Sequence, residues 1–139
     1  MKNKLTYPLI SVMMIACCTL FTACETGPYP ALKHGIGLEE TETLVLLDKE
    51  LQKAISVDVQ RSSYSPEGRL QAEANIRNRL DTNLNLQLQT MFKDSANISS
   101  GDETAWRTII LPPYATETYS AVAMNDRSDR YTIRVRLER

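Results

Sequence analysis

Between positions 84 and 92 the chain alternates without a break, with Leu84, Leu86, Leu88, Thr90 and Phe92 on one phase and Asn85, Gln87, Gln89 and Met91 on the other. Successive side chains of an extended strand point to opposite faces, so this pattern specifies a strand with one face on a core and one in water. A helix would scatter those five residues around its circumference. The same period recurs upstream. Ile55, Val57 and Val59 alternate with Ser56, Asp58 and Gln60, and Leu70, Ala72, Ala74 and Ile76 alternate with Gln71, Glu73, Asn75 and Arg77. Ser65-Pro66-Glu67-Gly68 and Asp81-Thr82-Asn83 supply turns between them. Downstream, residues 93–104 read as a polar loop and residues 105–111 as a strand ended by Pro112-Pro113. Residues 116–124 read as a strand apolar on both faces, hence centrally placed, and Tyr131, Ile133, Val135 and Leu137 form the last strand. The start of the folded part, residues 43–55, is open between an amphipathic helix and an edge strand. The expected fold is all-β, an antiparallel immunoglobulin-like β-sandwich of about six to seven strands over residues 43–139. "Immunoglobulin-like" refers to architecture only, because the Cys-Trp-Cys marks of an antibody domain are absent.

What precedes that domain reads as an address. Lys2 and Lys4 form a short positive region, and an almost wholly apolar run of about twelve residues follows from Leu9 to Leu20. That length fits the ~7–15 residues of a signal-peptide core and falls short of the ~20 needed to cross a bilayer as a helix. Leu20-Phe21-Thr22-Ala23-Cys24 comes next and resembles the lipobox of bacterial lipoproteins, with small residues before the cysteine, although Phe21 stands where Leu is usual. Residues 1–23 are therefore expected to be a lipoprotein signal peptide and Cys24 the fatty-acylated first residue of the mature chain. Cys17 is a poorer candidate, since cleavage there would truncate the apolar run. An ordinary cleaved signal with a chance cysteine and a single-span anchor are the alternatives. Residues 24–42, with Gly27, Pro28, Pro30, Gly35 and Gly37, read as a flexible tether. Glu25, rather than Asp, follows the cysteine. By analogy with double-membraned bacteria, that places the protein on the periplasmic side of the outer membrane.

From about Leu44 to Leu137 the chain resembles the YcfL-like family of periplasmic lipoproteins. The likeness rests on Ala54-Ile55-Ser56-Val57, on Asn75-Ile76-Arg77-Asn78-Arg79 with its Asn at a corner, and on residues 84–92. It continues through Trp106-Arg107-Thr108-Ile109-Ile110-Leu111-Pro112, Ala121-Val122-Ala123-Met124-Asn125-Asp126 and Tyr131-Thr132-Ile133-Arg134-Val135. Each stretch is short, but together they cover nearly all of the folded part. Two departures stand out: Phe92 ends a strand where Trp is often seen, and Ser95-Ala96-Asn97 occupies a turn where Gly is common. The resemblance implies a β-sandwich lipoprotein and carries no catalytic or ligand residues with it.

Composition excludes several function classes. After Ala23 the chain holds 14 basic and 17 acidic residues, which gives no electrostatic basis for nucleic-acid binding. The three cysteines are Cys17, Cys18 and Cys24, so the folded part lacks disulfides and thiolate ligands, and His34 in the tether is the only histidine. Neither the usual zinc sets nor a serine triad can be assembled. Asp102-Glu103 and Asp126 with Asp129 are loop carboxylates without an EF-hand spacing, read as solvated turn residues. No metal, cofactor or catalytic residue is expected. Basic residues supply the one surface feature with a functional implication. If Ile76 and Ile133 face the core, then Arg77, Arg79, Arg134 and Arg136 face outward, and on neighbouring strands they would line one face able to grip carboxylates or phosphates. A salt-bridged solvent face, with Glu73 and Glu117 among the partners, is the plainer alternative. Trp106 with Tyr119 or Tyr131 is a candidate sugar-stacking platform, or else core and rim. The expected role is a non-enzymatic accessory domain meeting a protein partner of the envelope, with binding of peptidoglycan or another glycan by the arginine face as the alternative.

Overall fold

Eight strands and two one-turn helices account for the alternating segments, in a computed structural model that describes residues 37–139. In chain order they are α1 (Leu38–Thr41), β1 (Leu44–Leu46), α2 (Leu51–Ala54), β2 (Ile55–Tyr64), β3 (Leu70–Asn78), β4 (Leu84–Lys93), β5 (Ser99–Glu103), β6 (Arg107–Leu111), β7 (Thr116–Val122) and β8 (Arg130–Leu137). Sheet A runs β1-β8-β4, with β5 and β6 pairing in succession along the far side of β4; sheet B is β2-β3-β7. All pairings are antiparallel except β1 with β8. The fold is thus an all-β sandwich, as the alternation implies, with more strands than expected.

One apolar core lies between the sheets. Sheet A brings large side chains to it, among them Leu86, Leu88, Phe92, Ile133 and Val135, and sheet B meets them with Ala72, Ala74, Ile76 and Ala121. Large residues opposite small ones let the two layers interdigitate at interior density. The hydroxyls of Thr90 and Tyr119 join the sheets across the core at 3.0 Å. α2 carries the chain from sheet A to sheet B and buries Leu51 as it does so.

Several sequence expectations change here. Residues 43–55 are neither one helix nor one strand: a three-residue strand pairs with β8, and a single helical turn follows. The segment taken as a polar loop contains β5, whose five residues Ser99–Glu103 are almost all polar and carry no apolar alternation to betray them. β7, expected to be central, is an edge strand of sheet B, and the outward Val122 and Met124 that suggested two apolar faces are exposed. In β2 the period breaks at a bulge. Val57 pairs with Ile76 but Val59 pairs with Asn75, so Asp58 is the extra residue and Val59 turns outward. Finally, Leu38–Thr41, within the stretch read as tether, is helical and packs on the outer face of sheet A through contacts to Lys93, Thr132 and Arg134. Cys24 and His34 lie outside the described residues.

Candidate functional site

The four arginines do not share a face. β3 and β8 lie in different sheets. With Ile76 and Ile133 both in the core, Arg77 faces outward from sheet B and Arg134 and Arg136 from sheet A, on opposite sides of the sandwich. Period two fixes which side of its own strand a residue takes, but only topology decides which strands are neighbours.

On sheet A the arginines are engaged. Arg134 makes an ion pair with Glu39 of α1 at 2.7 Å, approaches Glu103 at 3.8 Å and donates to Gln89 Oε1 at 3.3 Å. Its Nε is buried with no partner among the described residues. Arg136 donates to Gln87 Oε1 at 2.9 Å and stacks on the Trp106 ring at 3.9 Å. That guanidinium covers one face of Trp106, and Tyr119 and Tyr131 are core residues, so the three aromatics form no sugar platform. Beside these groups Lys93 is only 3 % exposed. Its ammonium donates to the Glu39 carbonyl and, at 2.8 Å, to Thr132 Oγ1. Burial lowers the Lys93 pKa below its ordinary value, partly offset by the charges of Glu39 and Glu40. A cleft of about 560 Å³ opens here between α1 and the sheet, lined by Leu38, Val45, Met91, Lys93 and Arg134 among others. Sequence reasoning missed Lys93, which sits on the outward phase of β4 and is buried only because α1 covers it.

On sheet B the arrangement is more open. Cross-strand pairing sets Ser56 of β2 and Thr116 of β7 on either side of Arg77. One step further the chain turns, and Tyr114 donates its backbone N–H to the Leu80 carbonyl at 3.2 Å, which brings Tyr114 beside Arg79. Ser56, Arg77, Asn78, Arg79 and Tyr114 line one pocket of about 270 Å³. Neither Arg77 nor Arg79 makes an ion pair or a side-chain hydrogen bond among the described residues; Glu73, expected as a partner, is taken by Arg61. Tyr114 adopts φ 58°, a left-handed conformation rare for a bulky residue. Pro112-Pro113 marked this turn in the sequence, but nothing there placed a tyrosine next to two arginines.

Asn78 forms the floor of the pocket and is fully buried. Its Nδ2 donates to the carbonyls of Thr82 (2.8 Å), Leu111 (3.1 Å) and Pro112 (3.0 Å), and its Oδ1 accepts from the Leu80 N–H at 2.9 Å. It therefore ties the β3–β4 turn to the β6–β7 turn. The loop carboxylates separate into two kinds. Asp102 is buried on β5 and accepts from the Met124 N–H, whereas Asp126 and Asp129 are exposed. Among the described residues no three His, Cys, Asp or Glu side chains gather as a metal site. No described helix is long and apolar enough to cross a membrane.

Two solved structures share this fold. The crystal structure of Campylobacter jejuni cj0090 superposes with a TM-score of 0.58 at 12 % identity, covering 69 % of this chain and 98 % of that one. A DUF1425 family member from Shewanella sp. pv-4 superposes with a TM-score of 0.54 at 18 % identity, covering 61 % of this chain and 79 % of its own. No curated protein matches the sequence. The family described as "Protein of unknown function (DUF1425)" matches residues 42–137, most of the chain and the whole sandwich from just before β1 to the end of β8, and this chain belongs to it.

Proposed function

We propose that this protein is a lipid-anchored binding module of the bacterial envelope, one of the YcfL-like lipoproteins within its family, and not an enzyme. Acylation of Cys24 would hold it on the periplasmic side of the outer membrane, where its sandwich meets a protein partner. Each buried methylene of an acyl chain contributes ~0.8 kcal/mol, so two or more chains make attachment stable. The observation that carries the binding role is the bareness of sheet B. Among the described residues, no element pairs with the outer edge of the ten-residue β2 or with the outer edge of β7. Open edges and exposed loops are the surfaces on which sheet proteins add partners.

The test has two arms. Mass spectrometry of the protein extracted from membranes should find acyl mass on Cys24, and Cys24→Ala should release a soluble form; an unmodified thiol in the membrane fraction would remove the anchor. Photo-crosslinkers at Arg61 and Ser63 on the β2 edge should capture a discrete envelope protein that crosslinkers at Gln87 on sheet A do not. Equal capture from both faces would remove the edge as the docking surface.

Binding to an envelope polymer is the second reading. It is favoured by the guanidinium groups of Arg77 and Arg79, which have no ion pair among the described residues, and it rests on that pair, not on all four arginines.

A further inference from the structure

We infer that the pocket formed by Ser56, Arg77, Arg79 and Tyr114 is a binding site for an oxyanion-bearing sugar, a saccharide carrying a carboxylate or phosphate. This deepens the polymer reading and rests on it for biological context, but it is a claim about chemistry that stands with or without a lipid anchor. Three observations converge on the same 270 Å³.

The first is charge without compensation. Arg61, Arg69, Arg134 and Arg139 each have a carboxylate partner, Arg107 and Arg136 stack on the Tyr119 and Trp106 rings, and Arg130 donates to Asn97 Oδ1. Arg77 and Arg79, like Arg127, have no such partner among the described residues, and Arg77 and Arg79 share one pocket. No Asp or Glu lines the pocket. The nearest acid along β2 is Asp58, whose carboxylate accepts from Ser56 Oγ at 3.2 Å and is not part of the lining. Two guanidinium forks in one small concavity present donors in the geometry that carboxylates and phosphates accept.

The second is the neutral equipment around them. Ser56 lies directly across from Arg77 on one side and Thr116 on the other, so hydroxyl, guanidinium and hydroxyl follow one another across the three strands of sheet B. The next row, where Thr118 Oγ1 donates to Asn75 Oδ1 at 2.9 Å, belongs to a separate concavity with Arg61 and Glu73. Hydroxyls flanking a guanidinium suit the hydroxyl-rich edge of a saccharide better than an apolar peptide.

The third is Tyr114. The residue is 59 % exposed and is held at φ 58° by a tight turn in which the Ala115 N–H donates to the Pro112 carbonyl at 3.1 Å. Glycine would meet that conformation without strain. A bulky aromatic kept there, in water and beside two arginines, is placed to stack on a sugar ring while the guanidinium groups take its anionic substituent.

The pocket also lies at the end of the sandwich remote from chain entry. Gly37–Thr43 approaches Lys93 and Thr132, whereas Asn78 and Tyr114 sit with the beginning of β4.

The experiment is an NMR titration of the full-length chain with four probes: glucose, glucuronate, glucose 6-phosphate and inorganic phosphate. Glucuronate and glucose 6-phosphate should shift the Arg77 and Arg79 side-chain Nε–H signals and the Tyr114 ring. Glucose should shift neither set. Inorganic phosphate should shift the arginines at higher concentration and leave the ring unmoved. Arg77→Gln with Arg79→Gln, both exposed and therefore compatible with folding, should weaken binding of the anionic sugars roughly tenfold or more. Tyr114→Gly should weaken it several-fold while raising the melting temperature, a combination that a merely structural tyrosine would not produce. Silence of all four probes, or shifts that persist in the double variant, would overturn the site. Inorganic phosphate binding as tightly as glucose 6-phosphate would overturn the sugar. Failure of sacculus binding in cells, with these titrations positive, would remove the polymer reading and leave the pocket standing.

Discussion

A single carboxamide, that of Asn78, closes one end of the sandwich. The two hydrogens of its NH2 group are shared among three carbonyls and its oxygen serves one N–H, joining the β3–β4 turn to the end of β6 and the turn after it. Removing a buried, fully used polar group leaves its partners without water or replacement, at a cost of ~1–3 kcal/mol for each strongly desolvated group. Asn78→Ala should therefore lower stability by roughly 3 kcal/mol in urea denaturation. Asn78→Asp should be worse at neutral pH, because a carboxylate can only accept and would face three carbonyl oxygens. That deficit should shrink in acid as the carboxyl gains a proton it can donate; a deficit that does not depend on pH would show that the donors are dispensable. The corner Asn was visible in the sequence, but its four partners come from segments up to 34 residues away and were not. Asn97 shows the converse. The turn that lacks the usual Gly has Asn97 at φ 64°, the non-glycine residue best suited to that conformation, so the departure from the family pattern is conservative in backbone terms.

At the scale of the element, β2 shows how one residue redirects a strand. Read as pure alternation, Val57 and Val59 belong to the same face, yet the bulge at Asp58 sends Val57 toward the core and Val59 to the surface. The two positions should respond differently to the same change. Val57→Lys places a charge against the core rim and should cost about 2 kcal/mol or more. Val59→Lys should fall within about 0.5 kcal/mol of wild type. Equal losses at the two sites would mean that the bulge does not exist in solution. A bulge and the charged Arg61 also blunt an edge that would otherwise invite indiscriminate pairing, which leaves β2 open but selective. Elements such as β5 and α1 were invisible to pattern reading for a related reason. Both are short and polar and are held by neighbours, β5 by β4 and α1 by Lys93 and Arg134, not by an apolar stripe of their own.

Taken as a whole, the molecule buries a cation where its entering segment crosses sheet A, and that charge should make stability depend on pH. Burial holds the Lys93 pKa below its ordinary value, so between that lowered value and ~10.4 the unfolded chain carries a proton that the folded chain does not. Unfolding then takes up a proton, and raising the pH opposes it. The stability of wild type minus that of Lys93→Met should accordingly rise as the pH is raised from the lowered folded value toward ~10.4. Tyr131, whose pKa burial raises, acts in the opposite sense above ~10, but it is common to both proteins and drops out of the difference. A difference that falls as the pH approaches that value would mean that burial does not hold the Lys93 pKa down. By itself the sequence determined the all-β class, the inward phase of β3, β4 and β8 and the absence of histidine and cysteine after position 34, because alternation and composition are local properties of the chain. Tertiary structure alone decided which strands are neighbours. It therefore parted Arg77 and Arg79 from Arg134 and Arg136, covered Lys93, and set Tyr114 beside two guanidinium groups that are unpaired among the described residues. Phase along a strand is written residue by residue, whereas adjacency arises only when distant segments compete to cover one another's apolar faces.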